Sequence, residues 1–255
     1  MIVNYIRPQS LDEAVTVLSR IDLVALPMGG GTTLSQAGGE TPITVVDLQK
    51  IGLDKIKLEG DRLLIGATTH LQALVEHPAC PEYLRTAIVA EFSRNLRNMK
   101  TLAGALTTSD GQSVLTCVLM AADSNVIWAP GEKSIRLGDW LPLRGKHNYG
   151  KLITKIELSL AARVQFEAVG RTPKDRPSVC VAIAQWESGR TRLVLGAPGE
   201  NASLINDGAS NKEFEFAIKN ACSHLIISSN EISFTQEIAI NLIRRLLEVN
   251  DEHYN

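Results

Sequence analysis

The stretch LVALPMGGGTTL at residues 23–34 separates two apolar runs and decides the predicted fold. Leu23 to Leu26 and Ile43 to Asp47 are short runs typical of β-strands. Three consecutive glycines, Gly29 to Gly31, let successive backbone N–H groups turn toward an anion, and two threonines follow with hydroxyl donors. The spacing differs from a Rossmann fingerprint and from a P-loop. We therefore expect a strand, an anion-binding loop and a strand, with a ligand-free turn as the alternative.

A second stretch of small and hydroxyl residues, RNMKTLAGALTTSDGQS, covers residues 97–113. It precedes a segment, Gln112 to Ala122, that is apolar on almost all sides and predicts a buried helix. We expect the amides and hydroxyls of residues 97–113 to meet the same ligand. The alternative is a polar loop that caps the buried helix through Ser109 or Asp110.

Composition excludes several classes of protein. The 255 residues suffice for two or three compact units, and the net charge of −2 without a basic stripe argues against nucleic acid as a partner. No apolar run approaches the roughly 20 residues that span a bilayer. The beginning, MIVNYIRPQS, lacks the pattern of a signal peptide, so we expect a cytoplasmic protein. The four cysteines lie far apart without metal-ligand spacing, which predicts buried thiols rather than an iron-sulfur cluster or zinc site.

Hydrophobic periodicity predicts alternating helices and strands up to about residue 160 and a segregated α+β arrangement beyond it. The predicted helices cover Leu11 to Arg20, a segment capped by Thr69 that ends near Glu76, Tyr83 to Phe92, Glu213 to Ala221 and Thr235 to Glu248. The further predicted strands are Ile56 to Glu59, Arg62 to Ala67, Asn125 to Ala129, Lys133 to Leu137, Leu152 to Leu158, Val164 to Val169, Ser178 to Glu187 and Thr191 to Leu195.

Several motifs, in order along nearly the whole chain, resemble those of the flavin-binding subunits of the molybdenum hydroxylases, the family of xanthine and carbon monoxide dehydrogenases. Its A-G-G-T-(D/S)-L and V-D-L motifs resemble residues 29–34 and 45–48, and its I-G-A-x-T-(T/H) motif resembles residues 65–70. Its R-N-x-G-T-(I/V)-G-G-N and A-D-P-x-S-D-L motifs resemble residues 97–105 and 109–115. Residues 166–182 resemble the motif that opens the family's C-terminal domain.

The resemblance implies an α+β fold in which residues 1–160 form an FAD-binding domain with subdomains at about 1–54 and 55–160. A smaller α+β domain, residues 161–255, would follow. In the family, the glycine loop and the T-(I/V)-G-G-N segment bind the FAD pyrophosphate. The implied cofactor contacts are Met28, Gly29, Gly30, Gly31, Thr32, Thr33, Leu34, Thr101, Ala103, Gly104, Thr108 and Ser113. No catalytic side chain and no metal ligand is implied.

The function implied by the resemblance is electron transfer within an oxidoreductase complex of the xanthine or carbon monoxide dehydrogenase type. The chain would hold FAD and pass electrons from the iron-sulfur clusters of a partner to an acceptor such as NAD. The partners would be a molybdopterin-binding large subunit and a small subunit with two-iron two-sulfur clusters. The cofactor would carry the chemistry, and the protein would orient it.

Departures from the family motifs keep a second function open. Ala103 and Ala105 replace a glycine and an asparagine, Val114 replaces an aspartate, and Ala168 replaces a lysine that reaches the flavin in the family. Met99-Lys100 stands where the family has x-G. The alternative is therefore a scaffold or assembly subunit with a weakened or lost FAD site.

His70 and a small group of basic residues each allow two interpretations. His70 could approach the flavin or lie at the start of a helix as a surface or capping residue. The basic residues Arg94, Arg97 and Lys100 could neutralise the FAD phosphates or face solvent. A flavin oxidase that acts alone is disfavoured, because no histidine or cysteine is placed to tether the flavin.

Overall fold

The computed structural model describes residues 1–34, 41–144, 150–170, 172, 175–209, 214–223 and 229–251. The chain divides into two compact units. The first comprises residues 1–80, 92–108 and 124–158, and the second comprises residues 81–91, 109–123 and 159–255. Two internal segments, 81–91 and 109–123, thus group with the C-terminal part of the chain. The domain limits implied by the sequence stay a prediction.

A three-stranded parallel sheet in the first unit carries the glycine loop. Its strands are β1 (Ile2–Ile6), β2 (Ala25–Met28) and β3 (Ile43–Asp47), in the order β1-β3-β2. All five residues of β3 are buried, as expected for a central parallel strand. Helix α1 (Leu11–Leu18) joins β1 to β2, and its buried side chains pack against Val46 and Leu48. The predicted helix is confirmed, and the predicted first strand is shifted by two residues.

A five-stranded sheet forms the rest of the framework of the first unit. Its strands are β4 (Ile56–Glu59), β5 (Arg62–Gly66), β6 (Asn125–Ala129), β7 (Lys133–Arg136) and β8 (Leu152–Ser159), in the order β4-β5-β8-β6-β7. The β4–β5 pair is antiparallel, and Gly60 turns the chain between the two strands with a φ of +62°. The predicted hairpin is therefore confirmed. Trp128 and Trp140 are buried with their ring centroids 5.7 Å apart, so both are core residues.

Short helices complete the first unit: α2 (Leu71–Glu76), α4 (Arg94–Met99), α5 (Leu102–Thr107) and α7 (Leu137–Trp140). Thr69 was expected to cap α2, and that expectation is wrong. His70 occupies the N-cap position and makes no side-chain cap hydrogen bond. The backbone explains this, because His70 forms a bridge with Thr101 and its extended conformation begins the helix one residue later.

The second unit has an antiparallel sheet with helices on it. Strands β9 (Arg163–Val169), β10 (Val179–Gln185), β11 (Arg190–Gly196) and β12 (Ser203–Ala209) lie in the order β12-β11-β10-β9. The helices are α3 (Glu82–Glu91), α6 (Val114–Ala121), α8 (Phe214–Ser223) and α9 (Ser229–Asp251). Alternate residues of β10, such as Val181 and Ile183, pack in the core with side chains of α8 and α9. Every residue of α6 is buried, as predicted.

The two units together have the α+β composition that the sequence predicted. Cys80, Cys117, Cys180 and Cys222 are all buried, as expected. In the described part of the chain, no helix has both the length and the apolar character needed to cross a bilayer. The described residues also contain no group of three or more histidine, cysteine, aspartate or glutamate side chains able to hold a metal ion.

Candidate cofactor site

The glycine loop leaves the carboxyl end of β2 and presents free backbone donors. Met28 pairs with Asp47 on β3, and its carbonyl accepts a hydrogen bond from the Leu48 amide at 3.0 Å. Gly31 has a φ of +71°, a backbone conformation that residues other than glycine rarely adopt. The amides of residues 29–32 donate no hydrogen bond to any described residue. The loop therefore has a row of donors that a phosphate oxygen can accept from.

The second segment contains the helix entry, that is, the N-cap Thr101 and the first turn of α5. The alternative interpretation of residues 97–113 as a polar loop is therefore wrong. Thr101 is the N-cap of α5, and its Oγ1 accepts from the Gly104 amide at 3.3 Å. The Leu102 amide donates to the Thr69 carbonyl at 2.9 Å, and the Ala103 amide donates to the Ala67 carbonyl at 3.1 Å. The first amides of α5 are thus all bonded within the protein.

A third motif, residues 65–70, fixes this helix entry in place. His70 and Thr101 form an antiparallel bridge, and the Leu71 amide donates to the Lys100 carbonyl at 3.0 Å. Thr69 Oγ1 and His70 Nδ1 are buried and have no hydrogen-bond partner among the described residues. Residues 65–70 therefore act as a backbone support for the second segment, a role that the sequence did not indicate.

The glycine loop lies directly against the second segment. A Cβ placed on Gly29 would be 2.6 Å from Thr101 Oγ1, and one placed on Gly30 would be only 1.7 Å from the Met99 carbonyl oxygen. Gly30 therefore has no room for a side chain unless the two segments move apart, and a side chain at Gly29 would displace that of Thr101. The structure thus brings Gly29 and Gly30 of the loop together with Met99 to Thr101 of the second segment. That the two segments bind one ligand stays a prediction.

The three basic residues near this segment have different surroundings. Arg97 donates to Gln72 Oε1 and to the Phe92 carbonyl, both at 2.8 Å, so its guanidinium links elements of the unit. Lys100 Nζ donates to Thr108 Oγ1 at 3.1 Å, and that hydroxyl donates to the Gly104 carbonyl at 2.8 Å. Arg94 is exposed at the start of α4. Lys100 is therefore the basic residue of this group that contacts predicted cofactor residues.

A buried carboxylate at the end of β3 supports the base of the glycine loop. Asp47 accepts hydrogen bonds from the Tyr5 hydroxyl, from Arg7 Nε at 2.8 Å and from the Gln49 amide at 3.0 Å. Burial by itself raises the pKa of Asp47, but these three donors outweigh it and hold the pKa below the ordinary range of aspartate. Sequence reasoning noted the V-D-L motif but missed this network, because Tyr5 and Arg7 are distant in the chain.

Ser113 belongs to the second unit, where it caps α6. Its Oγ accepts from the Thr116 amide at 3.2 Å and donates to the Glu91 carboxylate at 3.1 Å. The expectation that Ser109 or Asp110 caps this helix is therefore wrong, because the helix begins at Val114, two residues later than predicted. Glu91 also accepts from the Leu115 amide at 2.7 Å, while burial raises the pKa of this carboxyl. Sequence reasoning missed Glu91.

A family model and two known proteins match this chain. A model of the FAD-binding domain in molybdopterin dehydrogenases matches residues 1–159. The chain is 25% identical over 233 residues to the uncharacterized protein YgfM of Escherichia coli, covering 91% of this chain and 88% of that protein. It is 26% identical over 196 residues to the glyceraldehyde dehydrogenase medium chain of Sulfolobus acidocaldarius, covering 71% and 69% of the two chains.

A solved structure shows the same fold. The carbon monoxide dehydrogenase from Hydrogenophaga pseudoflava that lacks the Mo-pyranopterin moiety of the molybdenum cofactor has a chain that superposes with a TM-score of 0.79. The sequence identity is 17%, and the alignment covers 96% of each chain.

Proposed function

Because the chain belongs to the family of FAD-binding domains of molybdopterin dehydrogenases, we propose that it carries electrons through a bound FAD within a multi-subunit molybdenum hydroxylase. FAD is the cofactor that the family match supports. The observation that carries the proposal is the glycine loop, whose amides at residues 29–32 have no partner among the described residues.

The residues present fit the diphosphate of FAD. Backbone amides of the loop would bind its oxygens, with the hydroxyls of Thr32 and Thr33 as further donors, and the glycines leave room for close approach. Asp47 and its donors would keep the end of β3 and the adjoining loop rigid, which preserves the orientation of the bound cofactor. When bound, FAD supplies the electron-transfer chemistry, and the chain supplies binding and orientation.

We propose that the electrons come from iron-sulfur clusters of a small partner subunit and that a large molybdopterin-binding subunit oxidises the substrate. The name of the Sulfolobus acidocaldarius relative, a medium chain of a glyceraldehyde dehydrogenase, supports assembly with other chains. We propose NAD as the final acceptor on the basis of the family resemblance alone. Affinity purification of the tagged chain from its own host, followed by mass spectrometry and an NADH assay, tests partners and acceptor together.

The test of the cofactor is the flavin content of the purified chain. We expect the absorption bands of oxidised flavin and about one FAD per chain after incubation with excess FAD and gel filtration. The matched control is the Gly30→Ala variant, in which the new Cβ would overlap the Met99 carbonyl and the loop would be displaced. A wild-type chain that is free of FAD and takes up none would contradict the proposed function.

A second candidate function is that of a scaffold subunit with a weakened FAD site. It is favoured by the small number of free donors in the second segment. The amides of Leu102, Ala103 and Gly104 are already bonded, and Ala105 is buried where the family has asparagine. If the chain is a scaffold, it will be purified with its partners but without flavin. In that case the double variant Ala105→Asn with Ala168→Lys should raise the affinity for FAD, and an unchanged affinity would count against a decayed site.

A further inference from the structure

Lys100 is a charged residue built into the second segment at a position where the family motif has glycine. Its backbone lies against the glycine loop, because a Cβ placed on Gly30 would be 3.3 Å from the Lys100 Cα. Its carbonyl accepts the Leu71 amide at 3.0 Å, which ties the residue to the helix that follows the third motif. The main chain of Lys100 is therefore held on both sides.

The side chain of Lys100 is also held in place. Its Nζ lies 3.1 Å from Thr108 Oγ1 and 6.0 Å from the centroid of the Phe92 ring, and the residue is half-buried. Thr108 in turn donates to the Gly104 carbonyl at 2.8 Å, so the ammonium group lies along α5 beside two predicted cofactor contacts. A lysine with this anchoring presents a positive charge at a defined place.

The second segment needs such a charge because it has few other donors to offer. Its first amides are bonded within the protein, and Ala105 has no polar side chain where the family motif has an amide. The guanidinium of Arg97 already binds Gln72 and the Phe92 carbonyl. Lysine binds phosphate groups as a point charge and does not require a fixed fork geometry.

We propose that Lys100 is an ionic contact for the diphosphate of FAD and that it replaces the donors which the second segment lacks. The inference rests on the proposed FAD binding and goes beyond it, since it assigns a cofactor contact to a residue that the family motif does not contain. It also explains how a chain with alanines at 103 and 105 can retain a bound dinucleotide.

The experiment compares ligands with and without phosphate. Flavin-free protein is titrated with FAD and with riboflavin, and binding is followed by the change in flavin fluorescence. We expect Lys100→Gln to weaken FAD binding at least about tenfold, which corresponds to about 1.4 kcal/mol, and to leave riboflavin binding unchanged. Lys100→Arg should retain most of the affinity for FAD. Lys57→Gln, which removes an exposed lysine of β4, is the matched control and should behave like the wild type.

Ionic strength provides a second measurement. The affinity of the wild type for FAD should fall as salt is added, and this dependence should be flatter in Lys100→Gln, because screening acts on the charge that the variant lacks. The slope can also be measured for Lys100→Met, which likewise lacks the charge, so the inference stays testable if the glutamine variant is unstable.

The outcomes separate the inference from the function on which it rests. A wild type that binds no FAD overturns both. A wild type that binds FAD with a glutamine variant of equal affinity overturns the role of Lys100 and leaves the proposed function intact. An equal loss of affinity for FAD and riboflavin would show that Lys100 acts through packing, and this also overturns the ionic contact.

Discussion

The glycine loop and the helix entry of α5 lie against each other, but their backbone amides differ in whether they have a hydrogen-bond acceptor. Amides of the loop, residues 29–32, have no acceptor among the described residues, whereas those of Leu102, Ala103 and Gly104 all have one. The loop therefore offers donors to a ligand, and the helix entry is a hydrogen-bonded surface against which the loop packs.

The difference shows that a short motif of small residues can contribute to a cofactor site in two ways. In the loop, glycine is needed because the backbone itself approaches its neighbour, as the 1.7 Å distance from a Cβ on Gly30 to the Met99 carbonyl oxygen demonstrates. In the helix entry, small residues allow close packing, and we propose that binding there depends on the side chain of Lys100, which donates to Thr108 Oγ1. Substitutions in the two segments should therefore differ in their effects on stability and on FAD binding.

The largest effect is expected for Gly30→Ala, because the added Cβ overlaps a backbone carbonyl that cannot rotate away. The two segments would have to separate, and we expect a loss of about 3 kcal/mol in the free energy of unfolding together with loss of bound FAD. Chemical denaturation and flavin content measure the two effects. In the control Gly208→Ala, the new Cβ meets nothing within 4 Å, so this variant should lose far less stability. Equal stability and flavin content in both variants would contradict the close contact.

The second-largest effect is expected at Asp47, the buried carboxylate at the base of the glycine loop, and its size depends on pH. The pKa of Asp47 is below its ordinary range in the folded protein, whereas the unfolded value is about 3.9. The folded protein therefore binds fewer protons at this site. Its contribution to stability is full above the unfolded pKa and is lost as the pH falls through the folded pKa.

We expect Asp47→Asn to lower the free energy of unfolding by about 2 kcal/mol at pH 7, because the three donors lose a charged acceptor that is itself buried. The difference from the wild type should shrink as the pH falls below about 4. Denaturation curves at a series of pH values measure this. Asp61→Asn, at the exposed β4–β5 turn, is the control and should leave the free energy of unfolding at pH 7 nearly unchanged. A difference between Asp47→Asn and the wild type that is constant with pH would exclude the carboxylate as its source.

The two segments also differ in how well the sequence predicted them. The strand, loop and strand around Gly29 to Gly31 were predicted from local features, since β3 has the predicted bounds and the break at proline and glycine is strong. Helix α5 was missed because six residues are too short for a clear period. Thr101 followed by Leu102, Ala105 and Leu106 is the N-cap and i, i+3, i+4 pattern that could have revealed it.

Other omissions have tertiary causes. Strand β12 includes Asn206-Asp207-Gly208, which locally resembles a turn, and it is a strand because it pairs with β11. Strand β1 was not predicted although Ile2–Ile6 is rich in β-branched residues, and it pairs in parallel with the distant β3. The contacts of Asp47, Lys100 and Glu91 likewise depend on which elements meet, and local sequence does not determine that.

The smallest effect is expected at Thr101. It tests whether the helix entry only packs against the loop or also contacts the cofactor. Thr101 is buried, and its Oγ1 caps α5 through the Gly104 amide. Thr101→Val keeps the shape of the side chain but removes the acceptor, so we expect a loss of about 1 kcal/mol in stability and faster hydrogen exchange of the Gly104 amide. Thr101→Ser retains the hydroxyl and should keep the cap.

FAD titration of the same two variants completes this test. Because Thr101 Oγ1 is already bonded to Gly104, its removal should change the dissociation constant for FAD less than Lys100→Gln does. If Thr101→Val instead weakens FAD binding as strongly as Lys100→Gln, with Thr101→Ser close to the wild type, then the hydroxyl contacts the cofactor directly. In that case the helix entry would belong to the binding surface in the same sense as the glycine loop.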